Sequence, residues 1–318
     1  MRFRASVRPV SMGDSKVQFP HGVCLCLGYE GTGFHGWQAQ PGLRTVQGVI
    51  EEAIDALGLA HSAVRGCSRT DAGVHALGQL ASFGCTHEVP SDGWVLGLNA
   101  RLPEDVVIHD AKPCYRRYNP RFHAAHKRYR YVIRTGWVRD PLLRKRVWQL
   151  GPKEGRARVP AGSHRLEDFL DVAAMKAAAA RFEGTHDFQA FRQSGDQREV
   201  TERTMRSVEI LENWAGRHDL LAIEVVGDSF LKNMVRIIAG TLVEVGQERI
   251  APEAIDAMLN AAADRADAGQ TAPAHGLTLV EIKLARFDGP ADAFDRPTQA
   301  DPPVRRVPEI AGLPPAAR

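Results

Sequence analysis

The chain lacks the features that place a protein in a membrane, outside the cell or around a metal. No apolar run in its 318 residues is long enough to span a bilayer, which takes about 20 consecutive apolar residues. The basic start, Met1-Arg2-Phe3-Arg4-Ala5-Ser6-Val7-Arg8, has no apolar stretch behind it of the kind a signal peptide needs, so secretion is not expected. Cysteine is sparse: Cys24, Cys26, Cys67, Cys85 and Cys114 are odd in number and irregular in spacing. Cys24 and Cys26 are two apart in a strand-like run and share a face, which suits buried small apolar side chains better than a redox or zinc motif. A reducing, cytoplasmic compartment and no structural metal follow as expectations. Nucleotide and nucleophile motifs are lacking too. Gly31-Thr32-Gly33 lacks the rest of a dinucleotide or P-loop fingerprint, and no nucleophile elbow is present. No nearby His or Cys completes a ligand set with His75, which is better read as support for a turn.

Acidic residues are missing from one stretch in particular. Between Tyr115 and Arg146 there are eleven Lys or Arg residues and a single acid, Asp140. Tyr115, Tyr118, Phe122, Tyr129, Tyr131 and Trp137 are interleaved with them. Cations neutralise phosphates and aromatic faces stack on unpaired bases, so RNA or another polyanion is the expected partner. In Lys127-Arg128-Tyr129-Arg130-Tyr131-Val132-Ile133, strand alternation puts Tyr129, Tyr131 and Ile133 on one face and Arg128, Arg130 and Arg134 on the other. The tyrosines fit either a pocket or plain core packing.

Composition is that of an ordinary globular protein, with 44% hydrophobic and 25% charged residues and a net charge of +3. The length suits about two domains or a duplicated plan. A strand is expected at Val23–Tyr29, then a helix from Val46 to Leu57, with Thr45 as N-cap and Gly58 as stop. Strands at His61–Cys67 and Gly78–Phe83, a short helix at Trp94–Ala100 and a strand at Val106–Ala111 complete a βαββαβ order. The same order repeats: a strand at Arg128–Arg134, an Ala-rich helix at Leu166–Phe182, strands at Ser207–Leu211 and Leu220–Val226, and a helix at Phe230–Val245. An extra helix at Pro252–Ala263 and a strand at Leu277–Leu284 follow. Two such units predict an α+β protein with antiparallel-rich sheets and helices on one face; if the sheets join, their open faces make a long cleft. The expected organisation is a flexible segment at 1–20, a first half at 21–113, a second half at 114–287 with an inserted loop at 151–165, and a disordered Pro-rich tail at 288–318.

The most informative stretch is Arg69-Thr70-Asp71-Ala72-Gly73-Val74-His75. It is a short polar turn between strand-like segments, and it fits either a structural Asx-turn or a reactive carboxylate held beside a guanidinium. On the helix from Phe230, Lys232 and Arg236 are four apart and share a face, and Gly240 on that face would let another backbone approach. A cation on a largely buried helix needs an anion, and Asp71 is the candidate for Arg236.

Taken together, these residues resemble the TruA-type tRNA pseudouridine synthases. The likeness rests on Arg69 to Ala76, on Gly36-Trp37-Gln38 followed by Thr45-Val46-Gln47, and on Arg128-Tyr129-Arg130-Tyr131. Phe191-Arg192, Asn233-Met234-Val235-Arg236 and Thr271-Ala272-Pro273 with Gly276-Leu277 continue it in family order. The resemblance implies the pseudouridine synthase fold: two ferredoxin-like halves with joined antiparallel sheets and a central RNA-binding cleft. It implies conversion of uridine to pseudouridine at positions 38 to 40 of the tRNA anticodon stem-loop, by a homodimer that needs no cofactor; no metal and no membrane are expected from the residues themselves. It implies that Asp71 is the nucleophile, that Arg236 pairs with it, that Arg69 helps hold the target base out of the stem, and that Tyr129 packs against that base. Arg128, Arg130, Lys232 and Leu277 are the further substrate-binding candidates. Ser68 departs from the pattern, because many members have Gly there. A non-catalytic RNA-binding module on the same fold and a hydrolase with an aspartic-protease-like turn are the competing classes. The second would want two such turns sharing a proton, and the chain has one.

Overall fold

The computed structural model describes residues 19–151 and 163–285. Most of the expected segment at 1–20, residues 152–162 of the expected insertion and the tail at 288–318 lie outside the described residues. The rest forms two compact units. The first runs to Ala125 and takes the chain back from Glu281; the second is His126–Val280.

The first unit holds β1 (His21–Tyr29), α1 (Val46–Asp55), β2 (Arg65–Gly66), β3 (His75–Cys85), α2 (Ser91–Asn99), β4 (Val106–Cys114) and α3 (Pro120–His123). The strands lie in the order β4-β1-β3-β2, every neighbouring pair antiparallel. This is the ferredoxin-like arrangement of a split βαβ repeat. Helix α1 starts where the sequence says it should. The Thr45 side chain accepts the Gly48 N–H, and Val46, Ile50, Ala53 and Ile54 are buried along one stripe; such a cap stabilises by about 1 kcal/mol. Trp94 and Leu98 of α2 are buried as well, and the Trp94 ring meets Phe83 of β3 edge-on at 5.2 Å. The expected strand at His61–Cys67 is largely absent. Only Arg65–Gly66 pairs with β3, and His61 adds an isolated bridge to Cys85. Between them the chain turns aside, and Ser62 N–H reaches the Gly84 carbonyl instead.

The second unit contains most of β5 (Ala124–Thr135), then β6 (Trp148–Leu150), α4 (Val172–Ala180), β7 (Gly184–Asp187), β8 (Glu202–Glu212), β9 (Leu220–Gly227), α5 (Met234–Gly246) and α6 (Ala254–Met258). Strand β10 (Leu277–Leu284) starts in this unit, and the strand order is β10-β5-β9-β8-β7. The short β6 pairs with β5 in parallel, which makes the sheet mixed. Helix α5 is buried along nearly its whole length and packs on α4, whose Met175, Ala178 and Ala179 are buried.

Three expected helices differ from those observed. The run from Leu166 to Phe182 splits into a 3-10 turn at Leu166–Asp168 and α4, because the Asp171 carboxylate accepts the Ala174 N–H and starts a new helix. The extra helix shrinks to Ala254–Met258. The helix expected from Phe230 begins at Met234, because Asn233 adopts a left-handed φ of 61°. Lys232 is therefore not one helical turn from Arg236, and the shared face falls away.

The expectation for Gly240 holds. A Cβ there would stand 1.8 Å from the Gln270 carbonyl oxygen and 3.4 Å from Ala272 N, so α5 and the 270–272 segment touch backbone to backbone. Replacing Gly240 with Ala is expected to destabilise the protein by about 1–3 kcal/mol through overpacking. Urea unfolding measures it; an unchanged midpoint contradicts the close approach.

Candidate active site

The Asp71 turn is held from both sides by backbone bonds to a second loop. Gly73, at φ 82°, occupies the third position of a turn that the Val74 N–H closes on the Asp71 carbonyl at 3.1 Å, the geometry of a type II turn. Before Asp71, the Thr70 carbonyl accepts the Trp37 N–H at 3.1 Å; after it, the Gly73 N–H reaches the Phe34 carbonyl at 3.3 Å. Gly36 has φ 89°, and a Cβ on it would stand 2.7 Å from the Thr70 oxygen, so this position of the second loop requires glycine. His75 supports the turn as expected: its Nδ1 accepts the Gly31 N–H at 2.9 Å. The second loop is itself closed onto α1, with Gln47 N–H donating to the Trp37 carbonyl at 3.0 Å and the Gln38 amide to Gln47 Oε1 at 2.7 Å. Two stretches of the family likeness, Gly36-Trp37-Gln38 and Thr45-Val46-Gln47, thus support a third.

Beneath the turn lies a buried polar chain that sequence reasoning missed. Gln79 is fully buried on β3. Its Oε1 accepts the Ser68 N–H at 3.1 Å, and its Nε2 donates to the Ser68 carbonyl at 2.6 Å. The Gln79 side chain so replaces the strand partner that Ser68 no longer has, one residue after the Cys67 N–H bonds the Leu80 carbonyl. The same Nε2 lies 3.4 Å from the Tyr29 hydroxyl, which shares a 2.7 Å hydrogen bond with the Thr70 hydroxyl. A signal was present: Gln79 alternates with Ala81 and Phe83, so it is a polar residue on a buried face. Asp71 itself is half-buried, Ala72 and Arg69 are exposed, and Thr70 is buried.

The second unit carries the other candidates. Arg236 Nε donates to the Ala272 carbonyl at 2.8 Å and Nη1 to Asn233 Oδ1 at 2.9 Å, while the Ala272 N–H donates back to the Arg236 carbonyl at 3.1 Å. Asn233 is steadied in turn by its amide donating to Gln193 Oε1 at 2.9 Å. Tyr131 is fully buried with its hydroxyl on the Pro273 carbonyl at 2.8 Å. Burial pushes that phenol well above its usual range, and the charge of Arg236 pulls the other way. The family-like stretches at Asn233 and Thr271 therefore meet at Arg236, and Gln193, next to the stretch at Phe191, bonds Asn233. Leu277 is buried at the start of β10. Tyr129 is buried, its ring edge-on to Phe230 at 5.1 Å. Lys232 is exposed.

The arginine face of β5 is not an open row of cations. Arg130 Nε donates to Glu224 Oε1 at 2.7 Å and Nη2 bonds the same oxygen, directly across the strand pair. Arg128 Nη1 lies 3.8 Å from the other oxygen of Glu224. Arg134 is buried, donating to Asp219 at 2.7 Å and to the Val138 carbonyl at 2.5 Å. The basic stretch also divides between the units. Exposed Arg116, Arg117, Arg121 and Phe122 belong to the first; exposed Trp137, Arg139, Arg144, Lys145 and Arg146 belong to the second. Among the described residues, no group of three or more His, Cys, Asp or Glu is placed to hold a metal ion. All five cysteines are free thiols.

The fold agrees with the family comparison. The family described as tRNA pseudouridine synthase matches residues 25–123 and 178–284. That is more than half of the chain, and the chain belongs to this family. Among the curated relatives, the tRNA pseudouridine synthase A of Acetivibrio thermocellus is 41% identical over 261 residues, covering 82% of this chain and 98% of that protein. The protein of the same name from Pelobacter propionicus is 42% identical over 260 residues, with coverage of 82% and 98%. The first matched segment holds the Asp71 turn and its supports, and the second holds Arg236; Tyr129 lies between them.

Burial pushes the Tyr29 hydroxyl up to about 12, with its bonds to Thr70 and Gln79 acting in the opposite sense. A tyrosine in the unfolded chain ionises near ~10. Between those values the unfolded state gives up a proton that the folded state keeps. Stability is thus unaffected by this group below about pH 10 and falls as pH rises through the window, by roughly 2–3 kcal/mol in all. Urea midpoints at pH 9 and pH 11.5 are expected to fall further for the wild type than for Tyr29→Phe. Equal falls contradict the buried phenol.

Proposed function

We propose that this chain isomerises uridine to pseudouridine in tRNA, at positions 38, 39 and 40 of the anticodon stem-loop, with Asp71 as the nucleophile. The observation that carries this reading is the Asp71 turn: a half-buried carboxylate at the tip of a turn whose flanking residues are tied down on both sides. Family membership and the names of the relatives support the reaction and the tRNA substrate. The reaction breaks the C1′–N1 bond, joins C1′ to C5, and exchanges the C5 proton for one on N1. No electrons are gained or lost, so the chemistry calls for no redox partner. An ionised carboxylate can serve by attacking the sugar or the base, or by removing a proton from the sugar.

In this reading Arg236 is the counter-ion that keeps Asp71 ionised. Bonds to the Ala272 carbonyl and the Asn233 amide oxygen help to hold its guanidinium in place. The target uridine has to leave the stem and stack in a pocket. Tyr129 packs on the base, Leu277 lines its pocket, and exposed Arg69 holds it out of the stem. Arg128, Arg130 and Lys232 contact the RNA backbone, with Glu224 limiting how much of the Arg130 charge is available. The protein acts as a homodimer in the cytoplasm. The free thiols fit that compartment, and no helix among the described residues is long and apolar enough to cross a membrane.

Tritium release from tRNA carrying [5-³H]uridine tests the reaction. The wild type is expected to release tritium, and Asp71→Asn to be slower by a factor of about 10³ or more, as for loss of a nucleophile. Release at the wild-type rate by the variant removes Asp71 from the mechanism. Binding of tRNA with no release by the wild type would favour a non-catalytic RNA-binding module.

Backbone contacts have their own signature. Neutralising Arg128 and Arg130 together, as Arg128→Gln and Arg130→Gln, is expected to weaken tRNA binding and to lower the salt slope of log K by about 1 to 2. Filter binding across a salt series measures it. An unchanged slope means that this strand does not meet the RNA.

A further inference from the structure

We propose that Tyr29 and Gln79 are positioning residues for the reaction, setting the place of the Asp71 carboxylate through Thr70 and Ser68; this rests on the reading of Asp71 as nucleophile. Neither side chain is close to the surface. Tyr29 is 5% exposed, Gln79 0%, Ser68 7% and Thr70 7%.

A buried hydroxyl and a buried amide are poor choices if stability is the only demand. A hydrogen bond gained on folding largely replaces one to water, and an apolar pair of the same shape does about as well. What the polar pair adds is direction. Gln79 bonds both backbone groups of Ser68, so it fixes the plane of the chain three residues before Asp71. Tyr29 ends β1 and pairs with Ala76 on β3, so its ring is carried by the rigid sheet. Its hydroxyl takes hold of Thr70, the residue immediately before Asp71. The Thr70 carbonyl is already fixed by Trp37 N–H. With both its carbonyl and its side chain held, Thr70 cannot rotate without breaking a bond, and Asp71 inherits that restraint. Displacement of a reacting group by about 1 Å can cost on the order of 10²-fold in rate.

Only the hydroxyl matters for this positioning, because the ring of Tyr29 also packs near Trp37, with centroids 6.2 Å apart. Tyr29→Phe keeps that packing and removes the oxygen. Thr70→Val removes the other half of the same bond, and Thr70→Ser keeps it.

The test is steady-state tritium release from [5-³H]uridine-labelled tRNA by the full chain, with melting temperatures recorded alongside. Tyr29→Phe and Thr70→Val are each expected to lower kcat by roughly 10- to 100-fold, the scale of a sub-ångström to 1 Å misplacement. KM for tRNA is expected to stay within about twofold, because both side chains are buried. The double variant is expected to be no slower than the slower single one, since both break one link. Thr70→Ser is expected to restore kcat to near wild type. Unchanged kcat in Tyr29→Phe, additive losses, or a loss carried in KM overturns the proposal. If Tyr29→Phe does not fold, the comparison of Thr70→Val with Thr70→Ser decides the same question: equal kcat in those two overturns the proposal. Asp71→Asn in the same assay separates the two levels. An active Asp71→Asn overturns both the reading of Asp71 and this proposal; an inactive Asp71→Asn beside a fully active Tyr29→Phe overturns this proposal alone.

Discussion

One backbone hydrogen bond, from the Trp37 N–H to the Thr70 carbonyl, ties the two loops of the first unit together. Most of the candidate site follows from it. It can form only because Gly36 has no Cβ to collide with the Thr70 oxygen and can take a positive φ. The loop that donates the bond is anchored on α1 through Gln47, and α1 is anchored by its apolar stripe in the core. The loop that accepts it carries Asp71. The Asp71 turn is thereby attached to the core through a short sequence of bonds, with little slack between them. The tip of the turn remains half-open.

The second unit solves a different problem, that of keeping arginines in place inside a largely apolar body. Arg236 sits on a helix whose other residues are mostly buried, and a cation there is costly without acceptors. The Ala272 carbonyl and the Asn233 amide supply them. They can do so because Gly240 lets the 270–272 segment lie against the helix backbone. On β5, Arg130 is met across the strand pair by Glu224 and Arg134 by Asp219, so the cations closest to the sheet are already balanced. Further out, the flanking loops carry exposed arginines and lysines.

Much of this was legible in the amino-acid sequence where local signals agreed. Thr45 followed by apolar residues at helical spacing gave α1 with its cap, and the alternation at Leu277–Leu284 gave β10 to the residue. The duplicated βαββαβ order was visible because each unit keeps its helices and strands in separate, clearly patterned stretches. Pattern misleads where a polar side chain competes with it. Asp171 captures a backbone N–H and divides an Ala-rich run that propensity alone would make one helix. Asn233 takes a left-handed conformation and moves Lys232 off α5. The His61–Cys67 run has the composition of a strand, yet only two of its residues find continuous pairing. Gln79 escapes notice for another reason: its role depends on Ser68 and Tyr29, which lie 11 and 50 residues away. No periodicity reports such a contact. The roles proposed for Asp71 and Tyr129 rest on likeness to a family, because a single acidic turn has many structural uses; only the pairing proposed for Arg236 also follows from its place on a buried helix.

In the proposed reaction the carboxylate on this braced turn acts on uridines in one arm of tRNA. Mapping pseudouridine at nucleotide resolution in unmodified tRNA transcripts, after incubation with the purified chain, tests it most directly. Pseudouridine is predicted at positions 38, 39 and 40 wherever those are uridines, and none in transcripts whose uridines there are replaced by cytidine. Pseudouridine confined to another arm of the tRNA, or none at all, would contradict it.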